Sequence, residues 1–270
     1  MLMGTKDVYL ILPDFRTSYE EDKEYGYKSS QGAHDNLCEL LEKVSEKHCM
    51  YCYTNLKNDR GLTEGHLEHA IEKNDDNSIL AECVPNIGLA CAKCNTSFKR
   101  RGEKERKEFI KDEKKLIEKK TDCGKSKCKK MCTDYKRLRE KYLEKGHIIL
   151  QPQGVYGKDT GCDLRIQYNL NTAEFEPSVE HGEYSEDERK FILDHINQFM
   201  LNEDGMRTQA LFNFLEETIN AEGKYLKKRE RYPNIIVDLF IEILDKIEPD
   251  RRKDYCVTLY TQYLTLHRFI

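Results

Sequence analysis

The sequence predicts an α+β fold, predominantly helical, with a small zinc-stabilised β module set among helices. Three observations lead there. Apolar residues recur at three- and four-residue spacing over several long stretches. Runs with strand character are few and short. Two Cys-x-x-Cys pairs, Cys49/Cys52 and Cys91/Cys94, enclose 38 residues rich in turn formers. A chain of 270 residues makes one or two domains at roughly 150 residues each. Hydrophobic residues are only 38% and the mean hydropathy is −0.79, which long amphipathic helices tolerate because each buries one face. No apolar run approaches the ~20 residues of a membrane span. Residues 1–15 show no small-residue cleavage site, so the expectation is a soluble cytoplasmic protein without contact to a membrane. In a reducing compartment, eleven cysteines point to metal rather than to disulfides.

The elements follow in order. Val8–Leu12 is a short strand. From His34, the positions Leu37, Leu40, Leu41 and Val44 form one helical face that runs into the first cysteine pair. Gly61, Gly65, Asn74–Asn77 and Pro85-Asn86 mark turns between short elements. Lys99–Lys145 reads as helical with a break near Cys123-Gly124. His147–Gln153 and Cys162–Phe175 read as strands, the second a hairpin turning at Asn169–Thr172. Phe191, Ile192, His195, Ile196 and Phe199 mark the next helical face. Leu211, Phe214, Leu215 and Ile219 mark another, and Ile235–Ile247 and Tyr255–Phe269 supply two more.

Two Cys-x-x-Cys knuckles suit one tetrahedral zinc, each placing two thiolates at a tight turn about 2.3 Å from the ion. Four thiolates close the coordination shell, so this zinc is structural. The enclosed segment carries His66-Leu67-Glu68-His69. On a regular strand Glu68 shares a face with His66 while His69 points the other way, and a local bend would let Glu68 and His69 address neighbouring sites. Asn86 precedes the second knuckle, Asn95 follows Cys94 directly, and Lys99, Arg100 and Arg101 come next. By residue type alone, Asn95 is a metal ligand or a helix cap, and His66 is a metal ligand or a plain strand residue.

In order these pieces read Cys-x-x-Cys, Glu-His, Asn-x4-Cys-x-x-Cys-Asn, then Lys. That pattern resembles the HNH endonuclease family, whose ββα-metal unit is often tied by a four-cysteine zinc. It is most similar to the PtuB-like HNH nuclease subunits of Septu and retron antiphage systems. There a helix runs directly into Cys-x-x-Cys, as His34–Cys52 does here, and a Glu-His-x-x-x-Lys motif matches Glu68, His69 and Lys73. Two departures stand out. Glu72 replaces the usual proline, and the usual Lys-Gly is stretched to Phe98-Lys99-Arg100-Arg101-Gly102, which implies a shifted phosphate contact. The resemblance implies His69 as general base on the attacking water, an imidazole titrating near working pH. It implies Glu68 and Asn95 as oxygen ligands of a catalytic Mg²⁺ or Mn²⁺, and Asn86 as the asparagine ordering the backbone behind the base. Lys99, Arg100 and Arg101 stand where nucleic-acid phosphates are contacted. The implied protein is a bacterial antiphage nuclease with a PtuA-type ATPase partner, acting on DNA rather than RNA. The implied organisation is a lead-in over 1–48, an HNH module with basic extension over 49–146, and a hairpin plus helical partner-binding region over 147–270.

Charge is distributed unevenly. Lys99–Lys145 holds 20 Lys/Arg against 10 Asp/Glu, a balance of +10, while the rest of the chain balances at −14. Charge alone fits either a solvated helical face or a segment that meets a polyanion. Cys123, Cys128 and Cys132 lie within this stretch, as reduced thiols or as part of a second metal site. Cys38, Cys83 and Cys256 look like small apolar residues. No phosphate-binding Gly-rich loop is present, so any ATPase activity belongs to a partner. The competing function is a non-catalytic zinc-dependent nucleic-acid-binding or scaffold subunit.

Overall fold

A computed structural model describes residues 8–58, 60–73, 79–118, 128–180, 182–203, 205–225 and 233–267. Strand β1 (Tyr9–Ile11) precedes helix α1 (Gln31–Val44), which begins where the Ser30 side chain accepts the Ala33 N–H. Leu37 and Leu41 bury the expected face of α1. The helix stops where Glu46 and Lys47 take left-handed backbone conformations, φ 49° and 61°, turning the chain toward Cys49.

Strands β2 (His66–His69) and β3 (Ile87–Ala90) form an antiparallel pair with Glu68 opposite Gly88 and His69 opposite Ile87. A short helical turn over Cys94–Phe98 follows β3, and α2 (Glu103–Phe109) and α3 (Lys111–Glu118) continue the helical path. Helix α4 is Thr133–Leu143. Strands β4 (Ile166–Asn169) and β5 (Glu174–Pro177) form the expected hairpin, and β1 pairs with β4 to complete a three-stranded antiparallel sheet. Four helices close the chain: α5 (Glu186–Gln198), α6 (Gly205–Asn220), α7 (Ile235–Asp245) and α8 (Arg252–His267). A reciprocal Ser185–Glu188 capping box starts α5, and Asn234 caps α7. The fold is α+β and largely helical, and one continuous cluster of buried side chains runs from Leu10 to Tyr263.

One expected strand is absent. Residues 147–153 form an irregular strap across β3, with the Gln151 carbonyl passing 3.5 Å from where a Cβ on Gly88 would stand. Ile148, Ile149 and Leu150 are all buried, so the apolar run is real. Its hydrogen bonds go elsewhere: the Ile149 N–H donates to His195 Nδ1 at 2.9 Å and the Ile148 N–H to the Gly146 carbonyl. Burial on every side reads as a strand in sequence but needs no ladder. No helix among the described residues is long and apolar enough to cross a membrane.

Candidate metal centre and the residues around it

The four knuckle cysteines meet. Cys49 and Cys52 sit on a turn closed by Tyr53 N–H to Cys49 O at 2.9 Å, and Tyr53 adopts φ 62° to make it. Cys91 ends the β3 path and Cys94 opens the helical turn, its N–H donating to Cys91 Sγ at 3.4 Å. All four sulfurs lie within 4.8 Å of one another, and Cys52 Sγ is 3.8 Å from Cys91 Sγ. Zinc–sulfur bonds of about 2.3 Å in a tetrahedron put sulfurs about 3.8 Å apart, so the donor set fits a metal ion such as zinc. Three of the thiols are buried and Cys91 is half-buried, as expected of a closed structural site.

The pair of strands carries the other expected residues. Asn86 is fully buried just before β3. Its Oδ1 accepts the Ile71 N–H at 2.8 Å and the Tyr135 hydroxyl at 2.8 Å, and its Nδ2 donates to the Ile71 carbonyl at 2.9 Å. A backbone bond from Ala70 N–H to Asn86 O, 2.7 Å, completes the clasp. Asn86 thus holds the chain immediately after His69. His69 is buried, with Nε2 3.1 Å from the Ala81 carbonyl. That carbonyl orients the ring and selects the tautomer carrying its proton on Nε2. The Tyr27 ring meets the imidazole edge-on at 4.8 Å.

Glu68 faces the other way, into a buried polar network. Its Oε2 accepts the Tyr51 hydroxyl at 2.7 Å, and its Oε1 pairs with the Lys99 ammonium, which also donates to the His69 carbonyl. Glu68 is 3% exposed and Lys99 2%. Tyr51 stacks on Phe199 with centroids 4.8 Å apart. Burial, and next the adjoining Glu68 carboxylate, push the Tyr51 phenol well above its ordinary range, so it remains a donor. A second acid lies beside the first. Glu72 accepts from Arg106 Nη2 at 2.7 Å and from the Tyr142 hydroxyl at 2.9 Å. Burial raises its carboxyl, but Lys99 and Arg106 together outweigh that and hold it below the usual range. Arg106 also donates to the Lys99 and Arg101 carbonyls, fixing the segment that delivers Lys99. Glu72 is thus one half of a largely buried ion pair.

Lys99 requires a correction: it is an internal cation, not a surface phosphate contact. A π-type turn leads into it, in which the Lys99 N–H reaches Cys94 O at 3.1 Å, five residues back. That turn rotates Lys99 inward. Arg100 and Arg101 do reach the surface. Arg100 lines a shallow depression with Glu103, Lys104, Lys107, Glu108 and Lys111, and Arg101 lies over the Phe98 ring at 5.0 Å. Asn95 is half-buried on the first turn after the knuckle. The structure therefore joins Glu68 to Lys99, and His69 to Ala81 and Tyr27, with the two side chains on opposite faces of β2.

His66 is exposed at the start of β2. Among the described residues, the four knuckle cysteines are the one group of His, Cys, Asp or Glu arranged to hold a metal. Cys123 lies outside the described residues, Cys128 is half-buried, and Cys132 caps α4 by accepting the Tyr135 N–H. Sequence reasoning missed Tyr51, Tyr27, Tyr135 and Arg106. Only Tyr51 carried a signal, standing inside the first knuckle. Comparison with known protein families, with curated proteins and with solved structures returns no match for this chain.

Proposed function

We propose that the chain is a nuclease of the HNH type that hydrolyses phosphodiester bonds of nucleic acid, DNA in preference to RNA. In this reading it is the effector subunit of a bacterial antiphage complex with an ATPase partner. The observation that carries the reading is the conjunction around β2 and β3. A four-cysteine cluster clamps an antiparallel pair to the helical turn behind it, Asn86 clasps the chain after His69, and the Ala81 carbonyl orients the imidazole. An imidazole whose orientation and tautomer are set by a carbonyl is the kind of group that serves as a base for water attack on phosphorus. Arg100 and Arg101 supply surface charge for the polyanion.

The expected Mg²⁺ or Mn²⁺ ligands fit less well. One carboxylate and one amide are the right donors for a hard cation. Both Glu68 oxygens, however, already have partners in Tyr51 and Lys99. As arranged, Glu68 is a counter-ion and not a ligand, and no step is drawn through a divalent cation. This same observation favours the second reading, a non-catalytic zinc-dependent nucleic-acid-binding or scaffold subunit.

A plasmid-nicking and oligonucleotide-cleavage assay separates the two, run with and without added Mg²⁺ or Mn²⁺. The hydrolase reading expects cleavage that His69→Ala abolishes while zinc content and circular dichroism stay unchanged. Full cleavage by that variant removes His69 from the mechanism, and salt-sensitive binding without cleavage selects the second reading.

A further inference from the structure

Beside His69, on the face away from Glu68, three more groups gather on one aromatic ring. The His69 imidazole meets the Tyr27 ring edge-on at 4.8 Å. The Lys73 ammonium lies over the same ring at 4.6 Å and the Lys28 ammonium at 5.5 Å. Lys28 is exposed, Tyr27 and Lys73 are half-buried and His69 is buried, so the cluster grades from the imidazole outward to solvent. We propose that Lys28 and Lys73 form a phosphate-binding rim beside His69 for the backbone of a nucleic-acid strand, with Tyr27 as the residue that positions them.

The rim is built into the fold. Both backbone N–H groups of Tyr27 and Lys28 donate to the Glu82 carboxylate, at 2.8 and 2.7 Å. Glu82 follows Ala81, whose carbonyl orients His69, so one turn (Ile79–Glu82) fixes both the imidazole and the strip carrying Tyr27. The strip is anchored again by Gly26 N–H to Ala33 O at 3.1 Å and by Asn36 Nδ2 to Glu24 O at 3.0 Å. Gly26 packs closely here: a Cβ there would stand 3.2 Å from Glu82 Oε2, and the Ser29 hydroxyl would have to turn away.

The chemistry selects the ligand. An aromatic face attracts an ammonium through its quadrupole and holds a flexible lysine in one place, lowering the entropy lost when that lysine meets an anion. Two lysines seated on one ring bring two positive charges to the edge of the imidazole, while the Glu82 carboxylate beneath is turned to the backbone N–H groups of Tyr27 and Lys28. A phosphodiester backbone presents charge at regular spacing and suits such a surface without any base readout. The proposal deepens the nuclease reading by naming where the strand lies. It rests on that reading for the role of His69, while its test does not.

The test is fluorescence anisotropy with a labelled 20-nucleotide strand and its duplex, titrated over a salt series with no Mg²⁺ or Mn²⁺ added. Each phosphate contact contributes about 0.7 to the slope of log affinity against log salt for a single strand, and about 0.9 for a duplex. Lys28→Ala/Lys73→Ala should therefore flatten the slope by about 1.4 or about 1.8. Tyr27→Leu keeps bulk but loses the π face, and should weaken binding roughly two- to thirtyfold. Tyr27→Phe should bind like the parent chain. Zinc content and circular dichroism of every variant report retained fold. An unchanged slope in the double variant, tighter binding by Tyr27→Leu, or a parent chain that binds neither strand nor duplex overturns the proposal. A chain that binds with the expected slopes but never cleaves refutes the hydrolase reading and keeps the rim. A chain that cleaves with unaltered slopes in the double variant does the reverse.

Discussion

Replacing Lys99 by methionine should be among the most destabilising single changes in the chain, for a reason internal to the candidate site. Lys99 and Glu68 are 2% and 3% exposed, so water neither screens the pair nor resolvates the survivor when one partner goes. Removing one partner of a buried ion pair costs about 3–5 kcal/mol, because the remaining charge is stranded. Here the loss strips Oε1 of Glu68 and the His69 carbonyl of a donor at once, while Tyr51 still serves Oε2. Glu68→Gln/Lys99→Met removes both charges, keeps an acceptor for Tyr51 and should recover most of the cost. The expected interaction energy in the cycle is therefore at least about 2–3 kcal/mol, against at most a few tenths for unconnected sites. Urea unfolding of the zinc-loaded protein at pH 7, compared across parent, both single variants and the double, measures it. A cost below about 1 kcal/mol for Lys99→Met, or costs that simply add, would refute the buried pair and return Lys99 to the surface role expected from sequence.

Three further outcomes follow from the same geometry. The chain should hold one zinc by metal analysis, without a contribution from Cys128 or Cys132, and Cys91→Ser or a strong chelator should release it and melt the β2–β3 region; two zincs per chain would contradict this. Asn86→Ala leaves the Ile71 N–H, the Ile71 carbonyl and the Tyr135 hydroxyl short of partners, and should cost roughly 3 kcal/mol in the same urea assay. His195 is fully buried, and burial depresses its imidazole to about 3, with Nδ1 accepting the Ile149 N–H. Its folded value lies below the unfolded value of about 6.5, so its contribution is complete above that pH and is lost on acidification, at up to about 1.4 kcal/mol per pH unit. His195→Asn should accordingly show a flatter stability profile between pH 6.5 and 5 than the parent, and parallel profiles would exclude the effect.

Much of the fold was legible because it rests on local signals. The apolar spacing of Leu37 and Leu41 or of Ile192 and Ile196 names the faces that are buried. The four clustered cysteines were legible for a related reason: a knuckle is a turn, and its spacing is a local property. Residues 147–153 were misread because complete burial removes the alternation that distinguishes a strand from a strap. Glu68, His69 and Asn86 could be picked out by order, but their partners could not. Tyr27, Tyr135 and Arg106 reach the site across 42, 49 and 34 residues of chain, to His69, Asn86 and Glu72. Pairings of that kind belong to the tertiary fold alone.

The turn after the second knuckle shows how a shift of one residue redistributes roles. In an unbroken α-helix beginning at Cys94, Phe98 would occupy the position one turn on. The π-type turn gives that place to Lys99 instead, bonding its N–H to Cys94 O. The turn thus brings an ammonium to the inner face, against Glu68 of β2. Glu72 fits the same logic. A proline at that position has no acid to offer, whereas Glu72 recruits Arg106, whose guanidinium grips the carbonyls of Lys99 and Arg101. Glu72 and Lys99, 27 residues apart, are therefore parts of one arrangement, and the surface charge passes to Arg100, next in line. Cutting that grip with Arg106→Leu should loosen the placement of Lys99 and lower the interaction energy between Glu68 and Lys99, even though Arg106 touches neither side chain.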